Sequence, residues 1–217
     1  MANPGGFGGL FGSRPFNMNI LFKMSDVTPR VQSHIANVFA ALAATLLAAA
    51  AGVYVHLLTN AGGLLTTIAA FGCLMWLQVD KARPFDQRVA VLLAFGLLKG
   101  MSLGGLVAVV LDADSSILVT ATLGTAVSFA CFAAAALVAK RRSYLYLGAT
   151  LGSALSVMAL ASLANLFLRS PLLLDANLYG GLLVFCGYVV FDTQMIVERA
   201  SLGDFDVCGH AAELFVG

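Results

Sequence analysis

Two ionisable side chains stand inside stretches of this chain that otherwise carry no charge. Asp192 follows the thirteen uncharged residues from Tyr179 to Phe191 in "YGGLLVFCGYVVFDTQMIVERA", and more apolar chain comes after it. Lys99 sits in "AFGLLKGMSLGG". A charge at the middle of a membrane helix costs about 2.5–3.5 kcal/mol even on insertion scales, so such residues are candidates for ion pathways and proton relays. A carboxylate can hold a proton or ligate a cation, and an ammonium can neutralise that carboxylate. Two structural roles compete with these. Asp192 could simply reach water near a helix end, although helix C-termini disfavour negative charge. Lys99 could belong to an interior pair that only fixes helix positions.

A third chemistry is suggested by "GMSLG", Gly100–Gly104, which has the G-x-S-x-G form of a hydrolase nucleophile elbow. That elbow requires a strand-to-helix turn, whereas Ser102 falls inside a predicted helix. His34, His56 and His210 all fall at predicted span edges, far from Ser102. Helix-packing glycines explain the match better, and no enzyme is expected.

The elements that position these residues follow from composition. Of 217 residues, 60% are hydrophobic and 11% charged, and the mean hydropathy is +0.92. Soluble domains carry about 25% charge, so this surface cannot face water. Six stretches approach the ~20 apolar residues a spanning helix needs: 35–58, 61–79, 89–111, 116–139, 143–168 and 172–197. Runs such as "FAALAATLLAAAAG" lack the alternation of barrel strands. The expected fold is an all-α polytopic membrane bundle with six complete helices and the start of a seventh. At 1.5 Å per residue Asp192 lies ~8 Å, and Lys99 ~16 Å, from the basic edge. A lysine stem and modest tilt span that difference, so a Lys99–Asp192 pair is one expectation.

Lys23, Arg30, Lys81, Arg83, Arg88 and Lys140–Arg142 fall on alternate connections, which places the N-terminus in the cytosol by the positive-inside rule. Residues 1–27 read as a flexible cytosolic arm, and 28–217 as one transmembrane domain. In "SDVTPRVQSHI", Thr28 is placed to cap the first helix and Pro29 to begin it. Cys73, Cys131 and Cys186 read as small apolar fillers. Gly96, Gly100 and Gly104 share one helix face, as do Gly148, Gly152 and Ser156, and both faces are expected to be packing seams. After the polar "RASLGDFDVCGH", "AAELFVG" begins a helix and stops. A natural short form and an incomplete sequence both fit that ending.

"TPRVQSHIANVFAAL", "AAGVYVHLL", "SSILVTATLGTAVSFACFAAAALVAKRRSYLYLG" and "LYGGLLVFCGYVVFDTQMIVERASLGDFDVCGH" together resemble the Bax inhibitor branch of the transmembrane Bax-inhibitor-motif family, especially its plant-like members. The resemblance implies a multi-pass protein of the endoplasmic reticulum membrane that suppresses cell death and lets calcium leak from the store. It further implies a pH-sensitive leak that depends on two aspartates in the last two helices. Asp192 in "FDTQ" matches the first. Gly217 in "LFVG" stands where the second is expected, and Glu213, one turn earlier, is the nearest carboxylate. Bacterial relatives add an arginine latch near the end of the second span, for which Lys81 or Arg83 would be a loose substitute. Lys99 lies outside the family pattern.

Two close carboxylates share a proton, and a single one holds Ca²⁺ weakly, because that ion takes 6–8 oxygen ligands. No resident cofactor is expected, only transient Ca²⁺ at Asp192. Expected partners are the bilayer, Ca²⁺ and protons, with Bcl-type and other reticulum membrane proteins; nucleic acid is not expected. The competing reading is a non-conducting scaffold that binds Bcl-type proteins, calmodulin or membrane enzymes.

Overall fold

A computed structural model describes residues 28–138 and 147–216. The expected N-terminal arm, the basic cluster Lys140–Arg142 and Gly217 lie outside the described residues. Seven helices run in order: α1 Pro29–Thr59, α2 Leu64–Val79, α3 Phe85–Ala113, α4 Ser115–Val138, α5 Leu147–Leu168, α6 Pro171–Ser201 and α7 Val207–Val216. Five are long and apolar enough to cross a membrane; α2 and α7 are shorter apolar helices. The protein is an all-α, multi-pass membrane bundle.

Local chemistry sets the boundaries. Pro29 begins α1, where its missing N–H would have had no intrahelical partner. Thr28 occupies the cap position but makes no side-chain cap bond; its carbonyl accepts from Val31 and Gln32 instead. At the far end Asn60 turns left-handed (φ 54°) and its N–H closes on the His56 carbonyl. The next connection is held by His56, whose Nδ1 accepts from the Gly62 N–H at 2.8 Å. That tether delays α2 to Leu64, three residues later than expected, and leaves it 16 residues long.

The polarity of the bundle is inverted relative to a soluble protein. Leu47, Leu65, Phe167 and Leu183 are among many large apolar side chains left exposed, while His34, Thr45, His56, Arg88, Thr193, Gln194 and His210 are buried. Alkyl chains solvate the outside, and hydrogen bonds satisfy most of the inside, with Arg88 Nε and His210 Nε2 as buried exceptions.

The most extensive helix pairing is between α1 and α3. A Cβ on Gly96 would meet Thr45, one on Gly100 would meet the Ala49 backbone, and one on Gly104 would meet the His56 ring. Gly52, on the facing helix, is closed off in the same way by the Leu97 carbonyl. The second expected seam is different. Gly148 abuts the Phe191 ring, but a Cβ on Gly152 would meet nothing within 4 Å. The contact face of α5 rotates through Leu151, which packs on Gly187 of α6. Gly152 and Ser156 therefore lie off the seam. Among the residues whose burial is described, α4 contributes Ala133 and α5 Leu151 to the buried apolar core.

Candidate functional site

The site is built by the corner between α6 and α7. α6 ends at Ser201, Gly203 takes φ 101°, and α7 turns back among the other helices. Cys208, His210, Ala211 and Ala212 are buried there. Small residues on α7 let it pack against α1, α2, α3 and α6. This insertion carries Glu213 to the face of α6 that holds Asp192 and Arg199, which are seven residues, or about two turns, apart.

Asp192, Arg199 and Glu213 line one cavity of about 390 Å³ together with Leu74, Gln78, Tyr188, Phe191, Met195, Ala212 and Val216. Arg199 Nη1 donates to both Glu213 oxygens, at 2.9 and 2.8 Å, and both side chains remain partly exposed, at 41% and 36%. Glu213 and Arg199 are the charged groups that act on half-buried Asp192. Arg199 is thus committed to Glu213 rather than to Asp192. Asp192 also lines a neighbouring space of about 30 Å³ with Phe129, Phe185 and Leu214.

Lys99 lies elsewhere. It lines a separate cavity of about 110 Å³ with Thr67, Ala70, Phe71, Leu74, Phe95, Phe215 and Val216. Among the described residues no hydrogen bond or ion pair joins it to Asp192. Depth along the helices allowed that pair, but direction around them does not, because Lys99 faces α2 and α7 while Asp192 faces Arg199. Ser102 is helical and shares a 2.6 Å hydroxyl–hydroxyl bond with Thr67.

Two clusters were not foreseen. Arg88 makes a bidentate pair with Asp206, Nη1–Oδ1 2.6 Å and Nη2–Oδ2 2.9 Å, and both side chains are only 8% exposed. Nη2 also donates to the Leu77 carbonyl, and Asp206 accepts from the Gly209 N–H at 2.9 Å. One ion pair thus clamps the ends of α2 and α3 to the start of α7. Burial alone would raise the Asp206 carboxyl; the Arg88 hydrogen bonds, the Gly209 N–H and the Arg88 and Lys81 charges outweigh it and hold the group below its ordinary value. Arg88 had counted only as a topological marker. The second cluster is the buried pair His34 Nε2···His210 Nδ1 at 3.0 Å, with Phe205 edge-on to His34 and Asp204 3.7 Å from His210 Nε2. It pins the start of α1 to α7.

A family model described as an inhibitor of apoptosis-promoting Bax1 matches residues 31–217. Bax inhibitor 1 of Bos taurus is 44% identical over 94% of this chain and 88% of its own length. Bax inhibitor 1 of Arabidopsis thaliana is 43% identical over 94% of this chain and 83% of its own length, and that of Oryza sativa subsp. japonica is 46% identical over 88% and 77%.

This chain belongs to the Bax inhibitor family.

The stretch matched by the family model runs from the first turns of α1 to the end of α7, so the Asp192 cavity and the Arg88–Asp206 clamp both fall within it. Two charged pairs at the basic end of this bundle, Arg88–Asp206 and Arg199–Glu213, engage the α6–α7 corner or α7 itself.

Proposed function

We propose that this Bax inhibitor family member resides in the endoplasmic reticulum membrane with its N-terminus cytosolic, suppresses programmed cell death, and carries a pH-sensitive calcium leak controlled by Asp192. The observation that supports this most is Asp192's place in a cavity inside a lipid-facing bundle, beside a Glu213 already paired with Arg199. Such a site presents one free carboxylate, for which a proton and Ca²⁺ compete. Among the described residues no three His, Cys, Asp or Glu side chains gather closely enough to hold a metal. In this reading Ca²⁺ is cargo in transit, with water and carbonyl oxygens completing its shell.

The Arg199–Glu213 pair acts as the latch at the basic mouth. Its partial exposure lets water and ions exchange with it, so it opens without the desolvation penalty of a buried pair. No enzymatic step is assigned to Ser102.

The test is reconstitution of the purified chain in phosphatidylcholine vesicles loaded with a calcium indicator. Efflux above that of empty vesicles, cut at least tenfold by Asp192→Asn, is the expected result. Vesicles that hold their calcium as well as protein-free ones would favour the scaffold reading, in which the family's cell-death role is exerted by binding partners.

A further inference from the structure

The cavity that holds Asp192 and the one that holds Lys99 share two lining residues, Leu74 and Val216. The two spaces adjoin at these side chains. Beyond Lys99 the polar file continues with Thr67, which lines the same small cavity and bonds Ser102. A route starting at the basic end therefore meets Asp192 first, then Leu74 and Val216, then the Lys99 side chain. Among the described residues no carboxylate lines the Lys99 cavity and no hydrogen bond or ion pair engages its Nζ; three phenylalanines, Phe71, Phe95 and Phe215, make up much of the wall. The positive charge of Lys99 thus faces no carboxylate among the residues that line its cavity.

From this file of residues we infer that Lys99 is a charge filter, a fixed cation beyond Leu74 and Val216 that holds back divalent cations more than monovalent ones. The inference rests on the conducting reading proposed above and gives it a determinant of selectivity. A fixed charge acts on a passing ion in proportion to the ion's own charge. The logarithm of the rate gained on removing Lys99 is therefore twice as large for Ca²⁺ as for K⁺. A purely structural lysine would not do this, since loosening the bundle admits both ions alike.

The experiment compares Ca²⁺ and K⁺ efflux from phosphatidylcholine vesicles containing the parent chain, Lys99→Gln, Lys99→Arg or Asp192→Asn. Lys99→Gln is expected to raise both fluxes with the squared relation: if K⁺ rises about tenfold, Ca²⁺ rises about a hundredfold. Lys99→Arg keeps the charge and should keep the parent ratio of the two fluxes. Equal gains for both ions, or no gain while Asp192→Asn still lowers Ca²⁺ efflux, overturn the filter and leave the conducting reading standing. Absence of flux in every protein removes the conducting reading and the filter with it.

Discussion

Two arginine–carboxylate pairs hold the α6–α7 corner, with nearly the same hydrogen-bond lengths and very different surroundings. Arg88–Asp206 is sealed in protein, at 8% exposure on each side. Arg199–Glu213 opens on the cavity beside Asp192, at 41% and 36%. The chemistry is shared; the dielectric is not. Desolvation has already been spent on the buried pair, so removing one partner strands a charge. The open pair is solvated in either state, so its rearrangement is cheap. One pair is a sealed clamp, and the other can rearrange at little cost.

The largest effect should come from breaking the clamp. Arg88→Ala leaves Asp206 buried without its cation and is expected to lower stability by about 3–5 kcal/mol, read as a fall in thermal midpoint in detergent. The next largest separates the two helix seams. Gly100→Ala drives a methyl into the Ala49 backbone and should cost about 1–3 kcal/mol, whereas Gly152→Ala enters open space and should add up to about 1 kcal/mol of helix propensity. Thermal midpoints moving in opposite directions would sharpen the seam assignment; two equal losses would break it. The smallest change in stability belongs to the latch. Arg199→Ala should cost under about 1 kcal/mol and yet alter vesicle efflux, which no clamp mutation that folds need do.

Acid separates the pairs again. The folded Asp206 carboxyl is held below its unfolded value, which is about 3.9. Its contribution to stability is therefore full above that unfolded value and lost only as pH falls through the depressed folded one. Thermal midpoints from pH 8 to 5 should carry no Asp206 component, which Asp206→Asn in parallel would check. Any dependence of flux on pH across this range must then come from groups other than the clamp.

Much of this was legible in the chain because lipid simplifies the rules. Ala- and Leu-rich runs can only be helices, and the four-residue spacing of Gly96, Gly100 and Gly104 marks one face whatever packs on it. What packs on it was not legible: Thr45, Ala49 and Gly52 carry no signal apart from being small. Gly152 shares the spacing of a seam residue yet lies beside it, since periodicity fixes a face only to within the tilt of its neighbour. Asp192 announced itself by charge in an apolar run. Glu213 was reached only through the family resemblance, and Arg199 not at all, because Arg199 sits in polar-looking sequence that meets Glu213 only through the Gly203 turn. Arg88 and Asp206, 118 residues apart, each read as ordinary edge charges, and only the insertion of α7 makes them a pair.

The account rests on Asp192 as the carboxylate where proton and calcium compete. Calcium efflux from vesicles containing the parent chain or Asp192→Asn, measured from pH 5.5 to 8, tests it most directly. A pH-dependent parent flux, with a variant that is both slow and insensitive to pH, is the predicted result. Two superimposable pH profiles would contradict it.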